Sequence, residues 1–99
     1  MIPNKEERHK LDEEARQLRS ELESMKKEIS DLRKGGHYTR FAEQLATSVW
    51  PKIRMYNATG DKGDHEKIRA IFQDIKDEIE KTKRNDNDVY WKKEQDNSL

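Results

Sequence analysis

The sequence predicts an all-α protein in which an N-terminal parallel dimeric coiled coil precedes a small helical hairpin domain. Apolar residues between positions 11 and 32 recur in steps of three and four, two later segments carry apolar stripes with helical spacing, and glycines separate the three segments. Hydrophobic residues make up 30% of the 99 residues, and charged residues make up 42%. So little apolar material favours extended helices or oligomerisation over a large self-contained core.

The first segment, residues 5–34, has the pattern of a coiled-coil dimerisation helix. Asn4 and Glu7 have the spacing of a capping box, and Gly35–Gly36 is predicted to end the helix as a hinge. The apolar positions between these ends follow the 3.5-residue repeat of a coiled coil. They are Leu11, Ala15, Leu18, Leu22, Met25, Ile29 and Leu32.

The charged residues beside this stripe favour a parallel pair of chains. With Leu11 at heptad position d, glutamates occupy the g positions and cations occupy the e positions that follow. The pairs expected between two parallel chains are Glu14 with Arg19, Glu21 with Lys26, and Glu28 with Arg33. An antiparallel pair would place like charges together. Each exposed pair contributes only about 0.2–1 kcal/mol, but all act in the same direction. The alternative is that the stripe packs against later helices of its own chain.

Residues 37–84 are predicted to form the helical hairpin domain. Apolar spacing indicates a helix over 37–49, and Pro51 is expected to end or kink it, or to open a further short helix. A loop rich in Gly, Asn and Asp follows, and the last helix is expected to start at Asp61 or Asp64. Its apolar face comprises Ile68, Ile71, Phe72, Ile75 and Ile79. Two such hairpins, brought together by the coil, can pair into a four-helix bundle.

Residues 85–99 are polar and are expected to form a mobile tail. The exception is the apolar cluster of Val89, Tyr90 and Trp91. Aromatic side chains amid polar residues are typical of a segment that docks on a partner. The same residues can equally fold back to cover the thin core of the hairpin, and the sequence leaves both interpretations open.

Composition excludes several classes of function. Twenty-one basic and 21 acidic residues are evenly mixed, which argues against a polybasic nucleic-acid tail. The chain has no cysteine, no recognisable nucleophile or phosphate loop, and no His pair with zinc spacing. We therefore expect no catalytic residues, no metal and no cofactor. No apolar run approaches the length of a membrane span, so we expect a cytoplasmic protein that is neither secreted nor membrane-spanning.

The leading hypothesis is a small homodimeric adaptor or scaffold whose helical head binds an unidentified protein partner. The alternative is a dimeric nucleic-acid-binding protein that uses the basic and aromatic segment 37–56, because cations can neutralise phosphates while aromatic rings stack on bases. The candidate binding residues for either partner are Arg40, Trp50, Lys52, Arg54, Tyr56, Tyr90 and Trp91.

Overall fold

A computed structural model describes residues 4–90, and this part of the chain is helical and contains no strand. The helices are α1 (Lys5–Lys34), α2 (Arg40–Thr59) and α3 (Lys62–Lys83). The all-α class is therefore confirmed. The helices pack side by side into a rod with extents of 56 × 22 × 17 Å.

The ends of α1 are set by local hydrogen bonds. The Glu7 amide donates to Asn4 Oδ1 at 2.8 Å, and the Asn4 amide donates to Glu7 Oε2 at 3.4 Å, which completes the predicted capping box. At the other end the helix stops at Lys34, and Gly36 takes a positive φ of 91° that favours glycine. The chain can therefore turn sharply and bring α2 back along α1.

The helix α2 runs through Pro51, so an end at Pro51 and a separate short helix, two of the three predicted alternatives, are wrong. Proline lacks an amide hydrogen, so one backbone bond to the preceding turn is missing. Ala46 and Val49 before the proline, and Ile53 and Tyr56 after it, all lie in the same core. Burial on both sides of Pro51 keeps the two halves of α2 in one helix despite the missing bond.

The connection between α2 and α3 consists of Gly60 and Asp61. Gly60 has φ 68°, and its amide donates to the Tyr56 carbonyl at 2.7 Å, so it closes α2 as a left-handed cap. Asp61 Oδ1 then accepts from the Asp64 amide at 3.2 Å and opens α3. So short a turn makes α2 and α3 antiparallel neighbours.

The core is built from one narrow stripe on each helix, and each stripe advances in steps of three and four residues. The stripes are Ala15, Leu18, Leu22, Met25 and Ile29 on α1, then Ala42, Ala46, Val49, Ile53 and Tyr56 on α2, and Ile68, Phe72, Ile75, Ile79 and Thr82 on α3. Leu11 and Leu32 are partly buried at the two ends of the α1 stripe. The predicted dimer stripe thus fills the core of its own three-helix bundle.

This arrangement is the intramolecular alternative that the sequence left open. The side chains of the α1 stripe are almost completely buried, Leu18 and Leu22 being 1% exposed. A parallel coiled coil through the same side chains would need α1 to leave α2 and α3. The single-chain bundle and the two-chain coil therefore exclude each other, and the dimer stays a prediction.

Residues 85–90 fold back onto the start of α2. Asn85 takes a positive φ of 64°, and the buried Asn87 donates from Nδ2 to Glu78 Oε2 at 3.1 Å. The Tyr90 ring lies 5.7 Å from that of Tyr38 and 5.0 Å from that of Phe41. This packing differs from the mobile tail that the polar composition predicts. Residues 91–99, Trp91 included, lie outside the described residues.

Candidate interaction groove

The two charged flanks of α1 face different neighbours in the bundle. We call the side with Glu14, Glu21 and Glu28 the g flank, and the side with Arg19, Lys26 and Arg33 the e flank. On the g flank, Glu21 Oε2 lies 2.7 Å from Arg69 Nη1, and Glu28 Oε1 lies 2.7 Å from Lys83 Nζ. Glu14 accepts a hydrogen bond from the Tyr56 hydroxyl. All three glutamates are thus satisfied within their own chain.

The contacts of the g flank also change two pKa values. The hydrogen bond to Glu28 and the charge of that carboxylate raise the pKa of Lys83, because both favour the ammonium form. Burial raises the pKa of Tyr56 to about 12, and the bond to the Glu14 carboxylate adds to the effect. Each glutamate of this flank of α1 is therefore paired with a side chain of α2 or α3, and we call such a flank closed.

The e flank faces α2 and is satisfied only at its ends. Arg33 Nη1 lies 3.0 Å from Glu43 Oε1 at one end. At the other, Asp12 Oδ1 accepts from Asn57 Nδ2 at 3.0 Å, and this bond lowers the pKa of Asp12. Between them, Lys26 has only Glu23 of its own helix, at 3.6 Å, and Arg19 forms no ion pair with any residue from 4 to 90. The middle of this flank is left basic.

An open groove of about 440 Å³ lies between α1 and α2 along this flank. Core side chains of Leu22, Ile29 and Ala46 form its floor, and Trp50 stands at its rim with 42% of its surface exposed. The remaining lining residues are polar or charged and are Lys26, Ser30, Arg33, Glu43 and Thr47. The groove thus combines a concave apolar floor with a half-exposed tryptophan, a combination that suits a binding site.

The structure separates the other residues that the sequence proposed for partner binding. Lys52 and Arg54 are both exposed, but residues two positions apart on a helix point about 160° away from each other. Lys52 lies with Met55 on the side of α2 that faces α3, whereas Trp50 faces α1. Segment 37–56 therefore does not form one basic and aromatic surface.

The other proposed residues within 4–90 do not line the groove, although Arg40 lines the hollow next to it together with Glu43 and Thr47. Tyr56 is buried in the core, with 6% of its surface exposed. Arg40 is exposed at the first turn of α2. Tyr90 packs at the far end of the rod on Phe41. Of the predicted partner-binding residues that lie within 4–90, Trp50 alone lines the groove.

Comparison with known proteins gives no relative. No protein-family model, curated protein or solved structure matches this chain. Functional inference therefore rests on the groove and on the charges around it.

Sequence reasoning missed Glu43, Ala46 and Thr47 as groove residues, and it assigned Leu22 and Ile29 to a dimer interface. Glu43, Thr47 and Trp50 recur at helical spacing on one side of α2, which is a detectable signal. That spacing indicates a groove only when it is known which side of α2 faces α1. The sequence does not give this direction, because the α2 stripe alone does not say which helix lies on which side.

The acidic residues near the α2–α3 turn have structural roles. Asp61 caps α3, and Asp64 supplies the amide that Asp61 binds. Within residues 4–90, no group of three or more His, Asp or Glu side chains is arranged to hold a metal ion. None of the described helices is both long enough and apolar enough to cross a membrane.

Proposed function

We propose that this chain is a small, non-catalytic protein-binding module whose α1–α2 groove accepts a helix from a partner protein. The observation that supports this proposal is Trp50, which stands 42% exposed above a floor of core side chains. Tryptophan is enriched among the residues that dominate binding energy, because it buries a large rigid surface at low entropic cost.

The shape of the groove favours a helix as the ligand. Two adjacent helices leave a long shallow channel between them, and an amphipathic helix laid into such a channel completes a four-helix arrangement. The side chains of Ser30 and Thr47 line the channel and offer hydroxyl groups to polar residues of the ligand. We place this function in the cytoplasm, as the composition predicts.

The proposal is tested by comparing two exposed apolar residues of the same helix. Trp50 lies in the groove, whereas Met55, 58% exposed, lies on the opposite side of α2. We expect proteins captured from the native host by the wild-type chain to be lost on Trp50→Ala and retained on Met55→Ala. Circular dichroism of each variant serves to verify that the fold is intact. Identical captured proteins with both variants would refute the groove as the binding site.

The parallel homodimer with a paired four-helix head is the competing proposal, and it is supported by the heptad pattern alone. In that state the g glutamates would exchange their intramolecular partners for Arg19, Lys26 and Arg33 of a second chain. Light scattering distinguishes the two proposals. We expect a monomer at tens of micromolar for the groove-binding module, and a dimer under the same conditions would favour the coiled coil.

A further inference from the structure

We infer that the α1–α2 groove selects an acidic amphipathic helix of a partner protein. The inference rests on the proposed function and adds the chemistry of the partner. It rests on the contrast between the two flanks of α1, because on the flank beside the groove Arg19 and Lys26 form no ion pair with the neighbouring helix α2, whereas Arg33 pairs with Glu43.

Two cations of the e flank, Lys26 and Arg33, line the groove, and Arg19 lies one heptad beyond them on the same side of α1. Arg19, Lys26 and Arg33 recur every seven residues, which places their Cα atoms about 10.5 Å apart on nearly the same side of α1. The negative charge of Glu43 on α2 offsets the positive charge of Arg33, and no acidic side chain of α2 reaches Lys26 or Arg19. The rim therefore carries a net positive charge beside the exposed Trp50 ring.

A complementary ligand has an apolar stripe with acidic residues along one edge. The apolar stripe packs on Trp50 and on the floor of the groove. Acidic side chains seven residues apart on the edge next to α1 then lie opposite Lys26 and Arg19. Each such exposed pair favours binding about three-fold, so two pairs give a preference of about ten-fold over a neutral helix.

A folded second copy of this chain is a poor source of that helix. The glutamates that border its own apolar stripe at seven-residue spacing are Glu7, Glu14, Glu21 and Glu28, and these are bound to Asn4, Tyr56, Arg69 and Lys83. Presenting them would require the bundle to open. The occupant we infer is therefore a helix of another protein.

The experiment is a selection from a displayed library of helical peptides with a fixed apolar stripe and randomised flanking positions. The wild-type chain is expected to enrich Asp and Glu at flanking positions seven residues apart. Lys26→Glu is expected to weaken binding of the enriched peptide about ten-fold. Lys27→Glu makes the same charge change at the neighbouring exposed position, which faces away from the groove, and is expected to change affinity less than two-fold.

The outcomes separate this inference from the proposed function. Enriched peptides with neutral or basic flanks that still need Trp50 would overturn the acidic partner and leave the groove-binding function standing. A selection without any Trp50-dependent peptide would overturn both. Binding of a single-stranded oligonucleotide that Lys26→Glu abolishes, without enrichment of acidic peptides, would overturn the inference and assign the groove to nucleic acid.

Discussion

The two flanks of α1 carry opposite charges that each repeat every seven residues. The neighbouring helices pair all the charges of the g flank but not those in the middle of the e flank. The g flank is closed, since each of Glu14, Glu21 and Glu28 bonds to α2 or α3. The e flank is bonded at its ends and open in the middle, around Lys26. Regular heptad charges therefore show that a helix has neighbours, but the neighbouring side chains decide which charges are satisfied.

The difference follows from what each neighbour offers. The helix α3 presents Arg69 and Lys83 to the glutamates of α1. The facing side of α2 presents Glu43 and Asn57 near its ends, with Thr47 and Trp50 between them; by its spacing Arg54 lies on this side too. A threonine and a tryptophan cannot neutralise a cation as a carboxylate does, so the middle of the e flank stays available to a ligand.

The largest expected effect tests whether α1 belongs to its own bundle at all. Leu18 lies in the core between the two flanks and is 1% exposed. Leu18→Ala is expected to lower the free energy of unfolding by about 2–5 kcal/mol, because it removes buried methyl groups and leaves a cavity. The exposed neighbour Gln17→Ala is the control, expected to stay within about 0.5 kcal/mol.

The same unfolding experiment distinguishes the bundle from a dimer. For a single-chain bundle, Tm is independent of protein concentration over a range of about 5 to 100 µM. The Tm of a dimer rises with protein concentration over the same range. A concentration-dependent Tm in the wild type, abolished by Leu18→Ala, would contradict the assignment of α1 to its own core.

A smaller effect is expected where α1 meets the α2–α3 turn. A Cβ atom at Gly60 would lie 3.1 Å from Leu11 Cδ1, and φ there is 68°. Gly60→Ala is expected to cost about 1–2 kcal/mol for the left-handed backbone, plus the displacement of Leu11. Gly36 also has positive φ but open space around it, so Gly36→Ala isolates the backbone cost. Urea unfolding that gives equal losses for both would contradict close packing of Leu11 on the turn.

The Tyr56–Glu14 contact predicts a pH dependence of the closed flank. The pKa of Tyr56 rises from its ordinary value of 10.0 to about 12 on folding. A raised pKa means that the contribution of Tyr56 to stability is complete below about pH 10 and is lost as pH rises toward about 12. We expect the stability difference between wild type and Tyr56→Phe, measured by chemical unfolding, to shrink across this window. A constant difference would argue against a buried, hydrogen-bonded phenol.

The smallest expected effects are those of reversing one charge on each flank. Glu21→Arg places two cations together on the closed flank and is expected to cost about 1 kcal/mol, and adding Arg69→Glu is expected to restore the pair. Lys26→Glu on the open flank is expected to change stability by less than about 0.5 kcal/mol. Equal losses from Glu21→Arg and Lys26→Glu in denaturant unfolding would remove the distinction between the flanks.

Local chemistry made parts of the fold predictable. Asn4 and Glu7 cap α1, and the helix ends at Lys34 before Gly35, as expected, because capping bonds and glycine act within one turn. Pro51 left the extent of α2 open, since a local rule gives the cost of the missing bond but not the burial that offsets it. Trp50 was proposed as a binding residue from its type, whereas its neighbours in the groove were not proposed for partner binding.

The sequence by itself determined the all-helical class, the cap and the bounds of α1, and the heptad stripe along it. It did not determine what covers that stripe, because a 3.5-residue repeat fits the core of a three-helix bundle as well as the seam of a coiled coil. Only the tertiary structure decided that α2 and α3 bury it, that Arg69 and Lys83 satisfy Glu21 and Glu28, and that Lys26 stands beside Trp50. The physical reason is that an apolar stripe with flanking charges can pack against many different helices. Which helix it packs against is decided only by the neighbour whose charges complement its own.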